Sequence, residues 1–224
     1  MAANLFNLSV FLTLLSTLTN QNQKHVGISP PSCNRIECPG YDLIHTGNGF
    51  EIRRYNSSMW MSTSPIEDIS FVDGTRTGFL QLFKYISGKN KYNEKIEMTA
   101  PVLTQIAPSD GPFCESTFTV SFYVPQVNQA NPPPAEGLHV QKWGTTFVAV
   151  RQFGGFVKDS DIGEEAAALH DSLVASKWSD VVEKGEATVL PASYIVAQYN
   201  SPFEFTNRVN EIWMTFTMEE GVVV

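Results

Sequence analysis

The sequence predicts an α+β fold in which two similar halves, each a strand, a helix and two further strands, pair into one antiparallel, barrel-like sheet with a helix packed on each half. Three observations predict it. Apolar and polar residues alternate in "GFEIRRY", "TFTVSFYV" and "EIWMTF", the period of half-buried strands. Helical spacing replaces that alternation twice, after Ser70 and after Asp161, with strand-like stretches following each time. Two helices are also too few to cover both faces of a parallel sheet.

The elements follow in order. Phe50 and Ile52 alternate with Glu51 and Arg53, and "MWMST" continues extended, so Phe50 to Thr63 reads as a strand bent at Asn56. Ser70 is an N-cap with Asp73 three residues on. Val72, Phe79, Phe83 and Ile86 then recur at helical spacing until Gly88 supplies a stop. "KIEMTAPVLTQI" reads as a strand in which Pro101, unable to donate to a ladder, marks an edge or a bulge. Met98 and Val102 would close the core beneath the first helix, with Glu97 solvated on the other side. "TFTVSFYV" alternates strictly.

The Pro-rich stretch 125–137 reads as a surface connection within one domain, because either half alone would leave sheet edges unpaired. "LHVQKWGTTFVAVRQF" is one long or paired strand. A helix is expected from Asp161 to Lys184, with Asp161 and Glu164 at capping-box spacing. Its apolar stripe is Ile162, Ala166, Leu169 and Leu173, continued by Val174, Trp178 and Val181. "SYIVAQY" and "EIWMTF" complete the second half. Residue identity between the halves is slight, so the repeat rests on element order. The domain spans 46–217, preceded by a linker at 23–45 and followed by a tail at 218–224.

Composition excludes some functions. With a formal charge of −8 and no Lys/Arg cluster, the chain lacks the basic face that a nucleic-acid binder needs. The apolar run from Leu5 to Leu18 is short and rich in Ser and Thr, and reads as a secretory signal over residues 1–22, leaving no membrane span in the mature chain. A membrane-anchoring or an unprocessed N-terminal helix, the latter in a cytoplasmic protein, are the alternatives. Cys33, Cys38 and Cys114 allow one disulfide and one leftover thiol, in a pairing that spacing leaves open. "NSS" at Asn56 is a glycosylation acceptor if the chain enters the secretory path. His25, His45, His139 and His170 are scattered without metal spacing, so no metal site is expected. Nothing in the sequence points to a protein partner.

"KYISGKN" with "KIEMTAPV", followed by "TFTVSFYVP", "FVAVRQFGGF" and "NRVNEIWM", resembles the SOUL haem-binding protein family over roughly residues 41 to 217, and its plant secretory-type members in particular. The resemblance implies a distorted antiparallel barrel of two similar halves flanked by two helices. It also implies reversible, non-catalytic binding of haem or related tetrapyrroles as ligand, for transport, buffering or signalling. In the family the first helix lines the tetrapyrrole cleft, and Arg76, Phe79 and Phe83 fall on positions that face it, the last two commonly Met elsewhere. Some relatives use a second basic residue near the C-terminal strand pair, where this chain carries Glu204, so propionate pairing is expected to be arranged differently.

Local chemistry agrees. Arg76 lies four residues after Val72 and three before Phe79, which puts a guanidinium on one helical face with large apolar groups. A flat macrocycle with carboxylate tails wants apolar walls and a charged fork that pairs with a propionate. The competing reading is a core-facing stripe whose Arg snorkels at its edge. Axial ligation of iron by His45, His139, His170 or Met98 is not expected, since none sits in a haem-protein motif. A further reading makes Glu211, on a strand face with Trp213 and Thr215, a desolvated base or counter-ion, by distant likeness of the barrel to bacterial effector-binding modules and hydrolases. No nucleophile elbow or triad order accompanies it, so no catalytic residue is assigned. A passive interaction protein is the third reading.

Overall fold

The computed structural model describes residues 30–107, 116–186 and 194–218. Ten strands, β1 (Tyr41–Thr46), β2 (Glu51–Tyr55), β3 (Ser58–Thr63), β4 (Ile66–Asp68), β5 (Val102–Ala107), β6 (Ser116–Tyr123), β7 (Leu138–Trp143), β8 (Thr146–Gly154), β9 (Tyr194–Gln198) and β10 (Val209–Phe216), form one curled antiparallel sheet. Three helices pack on it: α1 (Phe71–Ile86), α2 (Asp159–Val174) and α3 (Ser179–Glu186). The predicted α+β class and antiparallel, barrel-like sheet are what the chain forms, as a curled half-barrel with three helices among the described residues where two were expected.

Sheet order is β1-β2-β8-β10-β9-β5-β6-β3-β7, with β4 also on β6. Its middle is symmetric: β8-β10-β9 runs outward from one side of the β9–β5 pair as β3-β6-β5 does from the other. The repeated unit is nevertheless longer than strand, helix, strand, strand, because β2 precedes β3 as β7 precedes β8. Each leading strand crosses to the opposite half: β2 pairs with β8, and β7 pairs with β3. The crossings lie side by side, since Tyr55 faces Thr146 and Ser58 faces Trp143 across the two corners. These exchanged strands tie the halves into one domain.

Local chemistry explains the elements. Ser70 Oγ accepts from Asp73 N at 3.2 Å, which caps α1. The α2 stripe is buried as predicted at Ile162, Ala166, Leu169 and Leu173, and each buried leucine contributes roughly 1.5–3 kcal/mol. The expected single helix to Lys184 is broken at 175–178, where Ala175 N and Ser176 N close the last turn on Asp171 and Leu173 carbonyls and Trp178 drops into the core. Asp161 sits one turn inside α2, not at its cap, and its Oδ2 accepts from Lys158 N at 3.2 Å. Val174 is exposed.

Other expectations shift. β2 and β3 are separate strands, parted at Asn56 and Ser57. "KIEMTA" is not strand: Thr99 Oγ1 donates to the Tyr123 carbonyl at 2.7 Å and Ala100 N to the Glu37 carbonyl at 2.9 Å, and β5 begins only after Pro101. Because β5 lies between β6 and β9, Pro101 marks the start of an interior strand rather than an edge. Met98 and Val102 do pack in the apolar cluster beneath α1. From Pro30 onward the segment read as linker belongs to the fold, contributing a 3-10 turn at Pro31–Asn34, the Cys33–Cys38 disulfide and β1. Cys114 and the apolar leader lie outside the described residues.

Candidate functional site

The helix stripe that suggested a ligand lies only partly toward the core: Ile86 is buried and Phe79 half-buried, while Val72, Arg76 and Phe83 are exposed. The side α1 buries is Phe71, Gly74, Thr75, Gly78, Leu82, Tyr85 and Ile86. Gly74 and Gly78 make this possible: a Cβ there would stand 2.4 Å from a ring carbon of Phe118 and 2.3 Å from a methyl of Val120. Without side chains at these two places, the helix lies flush on β6. Val72 and Phe83 are left exposed on its flank, and Phe79 half-buried.

That flank is one wall of a cleft of about 540 Å³. Val72, Arg76, Phe79 and Leu80 form the wall on α1, Val102 and Gln198 lie in the floor, and Phe156, Val157, Pro202, Phe203 and Arg208 form the opposite wall from the β8–α2 and β9–β10 connections. Phe83 is not in the lining. It stacks on Phe79, with ring centroids 5.9 Å apart and planes 16° apart, while Phe79 meets Phe122 edge-on at 5.4 Å. Asp159 accepts from Ser70 Oγ at 3.0 Å and Val72 N at 3.2 Å, which joins the start of α2 to the start of α1.

Two guanidinium groups serve this cleft. Arg76 is exposed and makes no ion pair or hydrogen bond with the described residues. Arg208 is buried at 8% exposure. Its Nη1 donates to the carbonyls of Ser201 and Glu204, both at 2.7 Å, and its plane lies over the Phe156 ring at 4.2 Å. Its Nε is buried without a partner. Burial lowers the Arg208 pKa, with the Glu204 carboxylate acting weakly against that. Arg208 thus holds a desolvated charge against carbonyl dipoles and an aromatic face, with no carboxylate bound to it.

Arg208 went unread in the sequence although it stands inside the quoted "NRVNEIWM". Asn207, in the left-handed region at φ 53°, turns the chain immediately before it. Glu204 is taken elsewhere: it pairs with Arg35 and accepts from Asn200 Nδ2 at 3.0 Å. The available signal for the second wall was aromatic residues set in Gly- and Pro-containing loops, "GGF" and "SPFEF", where exposed rings have little structural reason to be.

The rival site is a closed one. Glu211 is fully buried, and its oxygens accept from Arg53 Nη1 and Nη2 at 3.0 and 2.9 Å, Tyr199 Oη at 2.9 Å, Trp213 Nε1 at 2.7 Å and Gln152 Nε2 at 3.4 Å. These donors occupy the acceptor positions of a carboxylate. Burial opposes the Arg53 charge, yet Glu211 holds its pKa above the ordinary guanidinium range. Burial also pushes the Tyr55 and Tyr199 phenols up. Around the pair, Tyr41, Tyr55, Trp60, Tyr123 and Trp213 fill the inner face of the sheet, and the Cys33–Cys38 segment covers it. No face of Glu211 is open to a substrate.

The described histidines stand apart from the cleft, and His25 lies outside the described residues. His170 and His139 are exposed, and the His45 ring lies between Phe50 and Trp178 at 5.8 and 5.6 Å. Met98 is not in the lining either.

The model of the SOUL heme-binding protein family matches residues 36–215. The chain belongs to this family. Family relatives include "Heme-binding protein 2" of Homo sapiens, 36% identical over 185 residues that cover 80% of this chain and 85% of that protein. "Heme-binding protein 1" of Xenopus laevis is 27% identical, covering 75% and 83%. Among solved structures, a hydrolase from Listeria innocua aligns over 77% of this chain and 94% of its own with a TM-score of 0.46 and 8% identity.

Proposed function

We propose that this protein binds haem or a related tetrapyrrole, without catalysis, in the cleft between α1 and the two connections opposite it. One observation carries the reading: an apolar cleft has a guanidinium on each wall, and neither guanidinium has a carboxylate partner among the described residues. A flat macrocycle bearing two propionates matches both features, the ring against Val72, Phe79, Phe156 and Phe203, the propionates toward Arg76 and Arg208. Family membership and the names of its relatives support the same ligand class. Without histidine, cysteine or methionine among the described lining residues, ring contact and charge supply the affinity. The ligand is cargo, for transport, buffering or signalling.

The non-catalytic part is supported by Glu211, whose oxygens are all engaged within the fold. The secretory pathway is the proposed location of the mature chain. The leader pattern and the Cys33–Cys38 disulfide support it, since disulfides persist in oxidising compartments.

The decisive experiment is an absorbance titration of the purified mature chain with haem, protoporphyrin and a chlorophyll derivative, repeated with Arg76→Glu. Saturable binding that the variant weakens supports the proposal. Equal affinity in both proteins removes the propionate role, and absence of binding by all three ligands removes the function. N-terminal mass spectrometry of the native protein checks the compartment: a start between Thr19 and Lys24 is expected, and a retained Met1 would reverse it.

A further inference from the structure

We propose that Asn56 carries an N-linked glycan, placed on the exposed corner between β2 and β3. The inference rests on the secretory part of the proposed function. Asn56-Ser57-Ser58 satisfies the acceptor pattern, with Ser in the middle rather than Pro. The fold puts Asn56 and Ser57 on an exposed two-residue corner between buried Tyr55 and buried Ser58, and the Asn56 amide makes no hydrogen bond with the described residues. Neither residues 55–58 nor 143–146 line the tetrapyrrole cleft, so a large sugar fits here without obstructing it.

The corner has a topological property that the sequence does not display. On its two sides the chain pairs with different strands: Tyr55 faces Tyr41 and Thr146, and Ser58 faces Trp143. The residues flanking Asn56 and Ser57 are thus fixed in the sheet, while these two stay exposed between them.

The structure also sets when the modification occurs. Ser58 is 6% exposed and its Oγ accepts from Trp60 Nε1 at 3.1 Å, so the third acceptor residue is inaccessible once β3 has docked. Transfer takes place on the unfolded chain. The Asn56 Nδ2 forms a bond to C1 of an oligosaccharide carried on a lipid pyrophosphate, the bond from that C1 to the phosphate oxygen breaks, the lipid pyrophosphate leaves, and the amide gives up one proton.

The test expresses the full chain in a secreting eukaryotic host, with its own N-terminus and, separately, with residues 1–22 replaced by a proven secretion leader. Peptide-N-glycosidase should lower the mass of both secreted proteins by one glycan and convert Asn56 to Asp, while Asn56→Gln should already run at the lower mass and bind haem within twofold of wild type. Secreted protein from the supplied leader with an unmodified Asn56 overturns the site and leaves the compartment reading standing. Failure of the natural leader to secrete, with glycosylation under the supplied one, overturns the compartment reading and with it the glycan of the native protein. A tenfold loss of haem affinity in Asn56→Gln overturns the placement away from the cleft.

Discussion

Arg53 and Glu211, separated by 158 residues in sequence, meet as a two-pronged ion pair at 3.0 and 2.9 Å inside the curl of the sheet. They join β2 of one half to β10 of the other across β8. Glu211→Ala strips Arg53 Nη1 and Nη2 of their carboxylate and leaves only the partly exposed Glu51, which accepts from Arg53 Nε at 2.8 Å, so a stability loss of about 3 kcal/mol is expected in urea unfolding. Glu211→Gln should also destabilise while leaving haem affinity within a few-fold, because the cleft lies on the helix-covered face. A double change of Arg53 to Met with Glu211 to Leu should recover much of the loss. Any esterase or amidase turnover present in wild type and absent in Glu211→Gln would restore the enzyme reading.

The two cleft guanidiniums should behave differently. Arg76 is exposed, so Arg76→Ala should change stability by no more than about 0.5 kcal/mol and still weaken haem binding. A charge-assisted hydrogen bond contributes about 1.5–3 kcal/mol, so loss of affinity by about tenfold or more is expected for Arg76→Glu. Protoporphyrin dimethyl ester, which has no carboxylate, should bind wild type and Arg76→Glu alike. Arg208→Gln should lose both affinity and stability, because Arg208 also holds the loop carbonyls of Ser201 and Glu204.

Alkaline pH offers a third check. Burial, with a smaller effect from Glu94, pushes the Tyr85 phenol from 10.0 up to about 12, and its hydroxyl has no hydrogen-bond partner. A raised phenol pKa favours the neutral folded form: the contribution is full below pH 10 and is lost as pH rises from about 10 to about 12. Tyr85→Phe should keep or slightly raise stability at pH 7 and reduce that alkaline loss, leaving the part due to Tyr55 and Tyr199. Denaturant midpoints measured from pH 8 to 12 would show it. An unchanged alkaline slope would remove Tyr85 as a contributor.

Helix approach is the fourth. Gly78→Leu must push α1 away from Val120, since even a Cβ would stand 2.3 Å from its methyl. Overpacking of this kind costs about 1–3 kcal/mol, and the displaced helix should also disturb the cleft wall carrying Arg76 and Phe79. Thermal unfolding with haem titration should therefore show both losses together. An exposed change on the same helix, Thr77→Leu, should show neither.

Much of the fold was legible residue by residue. Ser70 caps α1, Ile162, Ala166, Leu169 and Leu173 face the core, and Phe118, Val120, Phe122, Ile212 and Phe216 share the helix-covered side of β6 and β10, because a periodic pattern records which side of its own backbone each residue occupies; that Tyr123, Glu211 and Trp213 on the other side are buried as well was not in the pattern. The family was legible not from periodicity but from the resemblance carried by "KIEMTAPV" and "NEIWM" together. Pairing between distant segments leaves no such record. That β2 crosses to β8 and β7 to β3, that Arg53 closes on Glu211, and that Arg208 stands opposite Arg76 all depend on which strand lies beside which. Even the α1 stripe was decided this way: Val72, Phe79 and Phe83 have helical spacing, but contact with β6 goes to the side that approaches closest. Gly74 and Gly78, four residues apart, open that side, and the larger apolar groups are left on the flank to line a cleft.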